Sequence, residues 1–434
     1  MFFVEIQQKG EWTAQQQQQQ QVSLLPSTET GFHAGIYGAR EDIQAILHAH
    51  APCLVAFAIC GRSPCSRVLA RGALSLGKVI PMTSYRLPGS PELIRVVSEA
   101  FRDDASVRCV ILGSHGVVVA AETLREAFSR LEVLENCAAV AIRCRSLLAH
   151  SAPTELTESQ VRCLFGRVAE VRSLCVPMPQ IHTPSEAECE LRMVLAQVVQ
   201  RALRQKNCLE DGLEQCQQES ALGNESGMLE MLISPANTDR QDFTPDAFVA
   251  VECQEESGSE KVLHEPGKTP SVGVKTHEVI YRMHPDVNFV IASDVLPNAM
   301  AFGAASPSAG PQFHSEVIPE GYIVLRHVAV LPFEASLEPK RLAAAFNKTS
   351  PVAIVRNDSA IAEGSTWLAA FDRLEVLKSM AEAQINAIAA GIDPITVISG
   401  QDIDDIERVF LQMNSSLFHT FQWGKRNTKN TASH

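Results

Sequence analysis

The 434-residue chain has no Cys-x-x-Cys pair, no long apolar run and no surplus of basic residues, and each absence excludes something. Its 12 cysteines are scattered without regular spacing, so no disulfide framework is written in them. In a chain this long without a secretory leader they read as reduced thiols, many simply buried. No stretch approaches the roughly 20 apolar residues a membrane helix needs. Ala51–Cys60 is too short and follows a polar, histidine-rich segment. The opening MFFVEIQQKGEW is charged too early for a signal peptide, so a cytoplasmic protein is expected. A net charge of -13 leaves no broad basic surface to displace counterions from a nucleic acid. What is present is an ordinary globular composition, 45% hydrophobic, and length enough for two or three domains.

One pattern is written twice. PSTETGFHAGIYGAREDIQAILHAHA at 26–51 aligns without a gap with PSVGVKTHEVIYRMHPDVNFVIASDV at 270–295, so that His33 meets His277, Tyr37 meets Tyr281 and Asp42 meets Asp286. Further on, AFSRLEVLE at Ala127–Glu135 meets AFDRLEVLK at Ala370–Lys378. Against that shared scaffold Glu29 becomes Gly273, His48 becomes Ala292, His50 becomes Asp294 and His115 becomes Asp358. The second copy keeps the packing signals and loses four residues that bind metal or move protons.

The expected division is a first domain at 1–175, a linker at 176–186, a second domain at 187–415 and a polar tail at 416–434. A glutamine tract, Gln15–Gln21, interrupts the N-terminal segment. Strands are expected at Ala45–His50, Val107–Leu112 and Val117–Ala121, and helices at Thr30–Gly38, Pro91–Phe101 and Glu122–Leu148. In the last of these Leu124, Ala127, Phe128, Leu131 and Leu134 form one apolar stripe. Ser185 and Glu188 are placed to cap a helix over Ala187–Gln205, and a final helix is expected at Gly364–Ala390. Leu213–Glu230 and Gln254–Lys268 read as surface loops. The first copy is shorter than the second on its N-terminal side, so either the first unit is truncated in this chain, or the second unit or another subunit supplies the missing wall.

His48 and His50 stand two apart in a strand-like segment, and strand alternation puts both side chains on one face. Two imidazoles so placed can share a divalent metal. His115, in a Gly-Ser-His-Gly turn between two strand runs, is the candidate third ligand. Three histidines and an open position make a catalytic rather than a closed structural site. A histidine alone is more often a hydrogen-bonded core or surface residue; the pairing and the joint losses in the second copy favour the metal. His33, retained as His277, reads as a packing or capping residue. Glu29 alone is an exposed carboxylate at a helix start; beside a metal it can take and return a substrate proton. Ser27 and Thr28 are ordinary N-cap types that, with nearby backbone N–H groups, can hold a phosphate.

Pro-Ser-x-Glu, a helix with His and Tyr, His-x-His-x-Pro, then His-Gly before strand and helix together resemble the class II aldolase/adducin family, over about residues 2–172 and 184–412. The resemblance implies tandem α/β domains, each a three-layer α/β/α sandwich around a mainly antiparallel sheet. It implies zinc or another divalent metal, one ion per chain, on His48, His50 and His115. Glu29 becomes the acid/base, and Ser27 and Thr28 fall where the family binds phosphate. It implies a zinc-dependent lyase that cleaves a small phosphorylated sugar through an enediolate, with epimerase, dehydratase and decarboxylase chemistry sharing that step. It also implies a homo-oligomer or an intramolecular domain pair. The family's Gly-Asn phosphate loop is missing from the first copy, and no tyrosine lent by a neighbouring subunit is placed. The alternative is a non-catalytic, adducin-like protein that binds actin and the cytoskeleton.

Overall fold

The structure, a computed structural model, describes residues 27–148, 152–204, 214–218, 228–236, 243–256, 259–305, 311–392 and 394–412. Pro26, the glutamine tract and the 416–434 tail lie outside them. Among the described residues no helix is long and apolar enough to cross a membrane.

The first copy runs α1 (Thr30–Ala39), β1 (Ala45–Ala49), α2 (Pro52–Ile59), α3 (Ala70–Ser75), β2 (Met82–Thr83), α4 (Pro91–Arg102), β3 (Cys109–Leu112), β4 (Gly116–Ala121) and α5 (Leu124–Leu147). Its four strands lie in the order β1-β4-β3-β2, antiparallel except for β2 beside β3. β3 and β4 are apolar throughout because both sheet faces are covered. Cys109, Ile111, Val117 and Val119 point toward α2 and α5, while Val110, Leu112, Val118 and Ala120 meet Phe32 and Ile36 of α1 and Leu93, Val97 and Phe101 of α4. Ser90 caps α4, accepting from the Leu93 N–H at 3.2 Å, with Pro91 in the first helical turn. Burying each of these large side chains stabilises the fold by about 1.5–3 kcal/mol.

After α6 (Glu158–Leu174), β5 (Cys175–Pro177) and α7 (Glu186–Arg204), the chain builds β6 (Glu214–Gln218), β7 (Leu229–Ile233), β8 (Val249–Glu256) and β9 (Ser259–His264). The repeat follows as α8 (Val274–Met283), β10 (Phe289–Ser293), α9 (Pro297–Ala304), α10 (Pro319–Leu325), β11 (Val328–Leu331), α11 (Glu334–Leu337), α12 (Pro339–Ala343), β12 (Val352–Val355), β13 (Ala360–Gly364) and α13 (Trp367–Ala389), with α14 (Gly400–Ile406) after it. The nine strands order as β11-β12-β13-β10-β6-β7-β8-β9-β5, again mainly antiparallel. The strands β6, β8 and β9 correct the loops expected at Leu213–Glu230 and Gln254–Lys268. Charged residues dominate the outer end of the β8–β9 hairpin, where Glu255 pairs with Glu260 and Gln254 with Lys261, and this hides the buried Val251, Cys253 and Val262.

The duplication is visible in register. Ala45 stands opposite Ala121 and His48 opposite Val118; Phe289 stands opposite Gly364 and Ala292 opposite Ile361. Thr123 and Thr366 cap α5 and α13 alike, each accepting from the N–H three residues on at 3.2 Å. Arg130 and Arg373 donate to the equivalent carbonyls of Ala120 and Glu363. Ser185 caps α7 at 3.1 Å as expected, but the Glu188 carboxylate turns to His182 and Arg192 instead of completing the box.

Glu363 is an anomaly in this core. It is 6% exposed and its Oε2 has no hydrogen-bond partner. Burial pushes its carboxyl up to about 7, against the pull of His284 and Arg373. The folded state therefore holds the proton more tightly than the unfolded chain, and the associated stability is lost as pH rises from about 4.5 through about 7. Glu363→Gln is expected to raise stability by about 2–3 kcal/mol at pH 8 and hardly at all at pH 4, measured by denaturant titration at both pH values.

Candidate metal centre

β1 carries His48, and the chain just beyond it carries His50; the β3–β4 turn brings His115 across from the neighbouring strand pair. Ser114 makes that turn with φ 52°, and its N–H donates to the Ala58 carbonyl at 3.2 Å, tying the turn to the end of α2. The ring centroids stand 4.8 Å apart for His48 and His50, 4.8 Å for His48 and His115, and 5.2 Å for His50 and His115. One nitrogen from each ring lies within 4.8 Å of the other two. Three imidazoles so close together could share a single divalent ion. Among the described residues, this is the one cluster of three or more metal-type ligands.

Glu29, directly before α1, reaches the same point. Its Oε2 is 3.2 Å from His48 Nε2 and its Oε1 3.0 Å from His115 Nε2. The four sequence candidates thus converge.

The donor set fits a divalent ion. His48 Nδ1 lies 3.0 Å from the Val117 carbonyl, an acceptor, so the proton sits on Nδ1 and Nε2 keeps its lone pair. That Nε2 is buried without a hydrogen-bond partner and faces a carboxylate oxygen. Two lone pairs at that distance call for a cation or a proton between them. Burial lowers His48 to about 4, despite Glu29, and lowers His115 as well, so both rings are neutral at pH 7. Neutral imidazole is the form that binds metal.

Gly116, the last residue of the Gly-Ser-His-Gly turn, makes room for this packing. A Cβ there would lie 2.5 Å from the Ala49 carbonyl oxygen and 2.6 Å from His50 Cδ2. Gly116→Ala is expected to displace His50 and weaken zinc binding about 10–100-fold, read by competition with a chromophoric chelator, with the far-ultraviolet spectrum retained. The Val117 carbonyl was not foreseen, since a backbone acceptor leaves no trace in residue type.

Ser27 and Thr28 are exposed in the turn before α1. Ser27 Oγ accepts the Glu29 N–H at 3.3 Å, and Thr30 Oγ1 donates to the Ser27 carbonyl at 2.6 Å. Gly89, with φ 77°, would place a Cβ 3.1 Å from the Thr28 carbonyl oxygen, so the loop bearing Arg86 meets this turn. His33 stacks on Phe32 at 4.8 Å, and its counterpart His277 is buried. In the second copy Ala292 has no donor, Asp294 faces Arg71 at 3.7 Å, and Asp358 accepts from Ser359 at 3.0 Å.

A sequence profile described as "Class II Aldolase and Adducin N-terminal domain" matches residues 2–142 and 218–385. A 5-deoxy-D-ribulose 1-phosphate aldolase of Bacillus thuringiensis is 30% identical over 133 residues, covering 28% of this chain and 55% of that protein. An L-fuculose phosphate aldolase of Methanococcus maripaludis is 31% identical over 113 residues, covering 26% of this chain and 59% of that protein. The chain thus spans little more than half the length of these curated relatives. A crystal structure of an aldolase II superfamily protein from Pseudomonas syringae superposes with a TM-score of 0.43 at 17% identity, over 52% of this chain and 87% of that one.

Proposed function

The chain belongs to the class II aldolase and adducin family, and on that premise we propose that it is a cytoplasmic, divalent-metal-dependent lyase cleaving a small phosphorylated sugar. The observation that carries this reading is the convergence of three histidines on Glu29, with an unbonded imidazole nitrogen facing the carboxylate. The chain reads as two domains, 1–175 and 187–415, with chemistry in the first. The second, lacking the histidines, is scaffold.

Zinc held by His48, His50 and His115 would supply the positive charge that stabilises the enediolate left when a carbon–carbon bond of the sugar breaks. Val117 fixes the His48 ring and its tautomer. Glu29, within 3.2 Å of two of the rings, takes the hydroxyl proton and returns it to carbon. Ser27 and Thr28, exposed before α1, bind the phosphate with the first N–H groups of that helix.

Offered a panel of ketose 1-phosphates with zinc, the purified protein is expected to release dihydroxyacetone phosphate, and a chelator is expected to stop it. If no substrate is cleaved while one ion stays bound, the lyase reading fails. If no ion binds either, a non-catalytic interaction role replaces it, and co-sedimentation with actin becomes the next assay.

A further inference from the structure

We propose, on the metal reading above, that Glu135 is a positioning residue of the metal centre: its carboxylate caps the first turn of α2 and through that turn holds His50 in place.

Of the three histidines, His50 is the one whose ring is not tied down. His48 is fixed by the Val117 carbonyl, and His115 lies 3.0 Å from Glu29 Oε1. The His50 ring stands 4.8 and 5.2 Å from those two rings and makes no hydrogen bond among the described residues. A metal-binding imidazole is normally oriented through its second nitrogen. His50 also lies past Ala49, the last residue of β1, and is exposed. Its orientation therefore falls to the backbone that follows it.

That backbone turns at once into a helix. Ala51 is extended (φ -65°, ψ 131°), accepts the Val55 N–H at 2.8 Å and brings no side-chain cap. Pro52, which opens α2, has no N–H to satisfy. The next two N–H groups, those of Cys53 and Leu54, both donate to Glu135, at 2.9 Å to Oε1 and 3.0 Å to Oε2. One carboxylate thus satisfies both donors, at the helix end where a carboxylate is favoured. Glu135 comes from α5, whose Leu131, Leu134 and Ala138 are buried in the core that also holds Leu47 of β1 and Leu54 of α2. The anchor is therefore rigid, and only Ala51 and Pro52 separate His50 from the first residue it holds.

The second copy supplies the control. AFSRLEVLE and AFDRLEVLK differ at two positions, Ser129 against Asp372 and Glu135 against Lys378. Lys378 has no acceptor, and its cation is the wrong charge for a helix N-terminus. α9 opens on Pro297 with no side-chain cap from Leu296. Glu135 is thus present in the copy that has the histidines and replaced in the copy where Asp294 stands in the position of His50.

Glu135→Leu removes both acceptors, and Glu135→Gln keeps one. In competition with a chromophoric chelator, Glu135→Leu is expected to bind zinc about 10–100-fold more weakly than the wild type, with Glu135→Gln between the two and the far-ultraviolet spectrum retained in both. The visible spectrum of the cobalt-loaded protein, which reports the ligand set, is expected to change in Glu135→Leu. Amide exchange in the metal-free variant is expected to speed up about 10-fold at Cys53 and Leu54, while β1 and α5 keep their protection. A role in stability alone predicts a lower Tm with zinc affinity and cobalt spectrum unchanged; that result overturns the proposal, as does unchanged amide exchange. Where Glu135→Leu does not fold, an unchanged zinc affinity in Glu135→Gln overturns it. A wild type that binds no zinc defeats the metal reading and the positioning role together, and amide exchange still judges the cap. A wild type that binds zinc no more tightly than folded Glu135→Leu overturns the role of Glu135 alone.

Discussion

His48→Ala is expected to strip the protein of its divalent ion, lowering zinc affinity by at least about 100-fold, more than loss of a group that only orients a ligand. The ring is held from one side by the Val117 carbonyl and presents its buried Nε2 to Glu29 from the other. The residue before it on that strand face is Ile46, which has no donor to replace it. Asp294→Ala, on the second copy, is expected to leave metal content unchanged, because the positions matching His48 and His115 are Ala292 and Asp358. Elemental analysis of both variants beside the wild type checks the pair of outcomes. Loss of metal in both would place the ion elsewhere.

Glu29→Gln is expected to separate binding from chemistry. The amide keeps the shape of the side chain, so zinc affinity should change less than tenfold, while kcat falls about 10²–10⁴-fold through loss of proton transfer. The contrast is sharp because Glu29 lies 3.0–3.2 Å from two of the rings and belongs to a different element from all of them. Equal losses of metal and turnover would make Glu29 a ligand rather than a base.

Much of this architecture is legible in the chain because duplication supplies an internal control. The helix expected at Thr30–Gly38 is α1, Thr30–Ala39, and the strand at Ala45–His50 is β1, Ala45–Ala49. The strands stand out as short apolar runs because both faces of β1 and β4 meet apolar layers. The metal-type cluster was legible for a related reason: the substitutions at positions 48, 50 and 115 fall together against a retained scaffold. What escaped is what residue type does not encode. Polar hairpin ends concealed β8 and β9. The carbonyl of Val117 and the missing side chain of Gly116 shape the centre without any chemical signature. The packing of α5 on α9 was invisible for another reason: α2 and α9 are similar apolar segments, and only the fold decides that α9 is the one fully covered.

The most direct measurement is a zinc titration of chelator-stripped wild type and of a His48→Ala/His115→Ala double variant, followed by calorimetry at pH 7. The account predicts one ion per wild-type chain, bound tightly and with release of few protons from His48 and His115, whose burial keeps them neutral, and no such binding in the variant. A wild type that takes up no zinc, or a variant that binds it equally well, would contradict it.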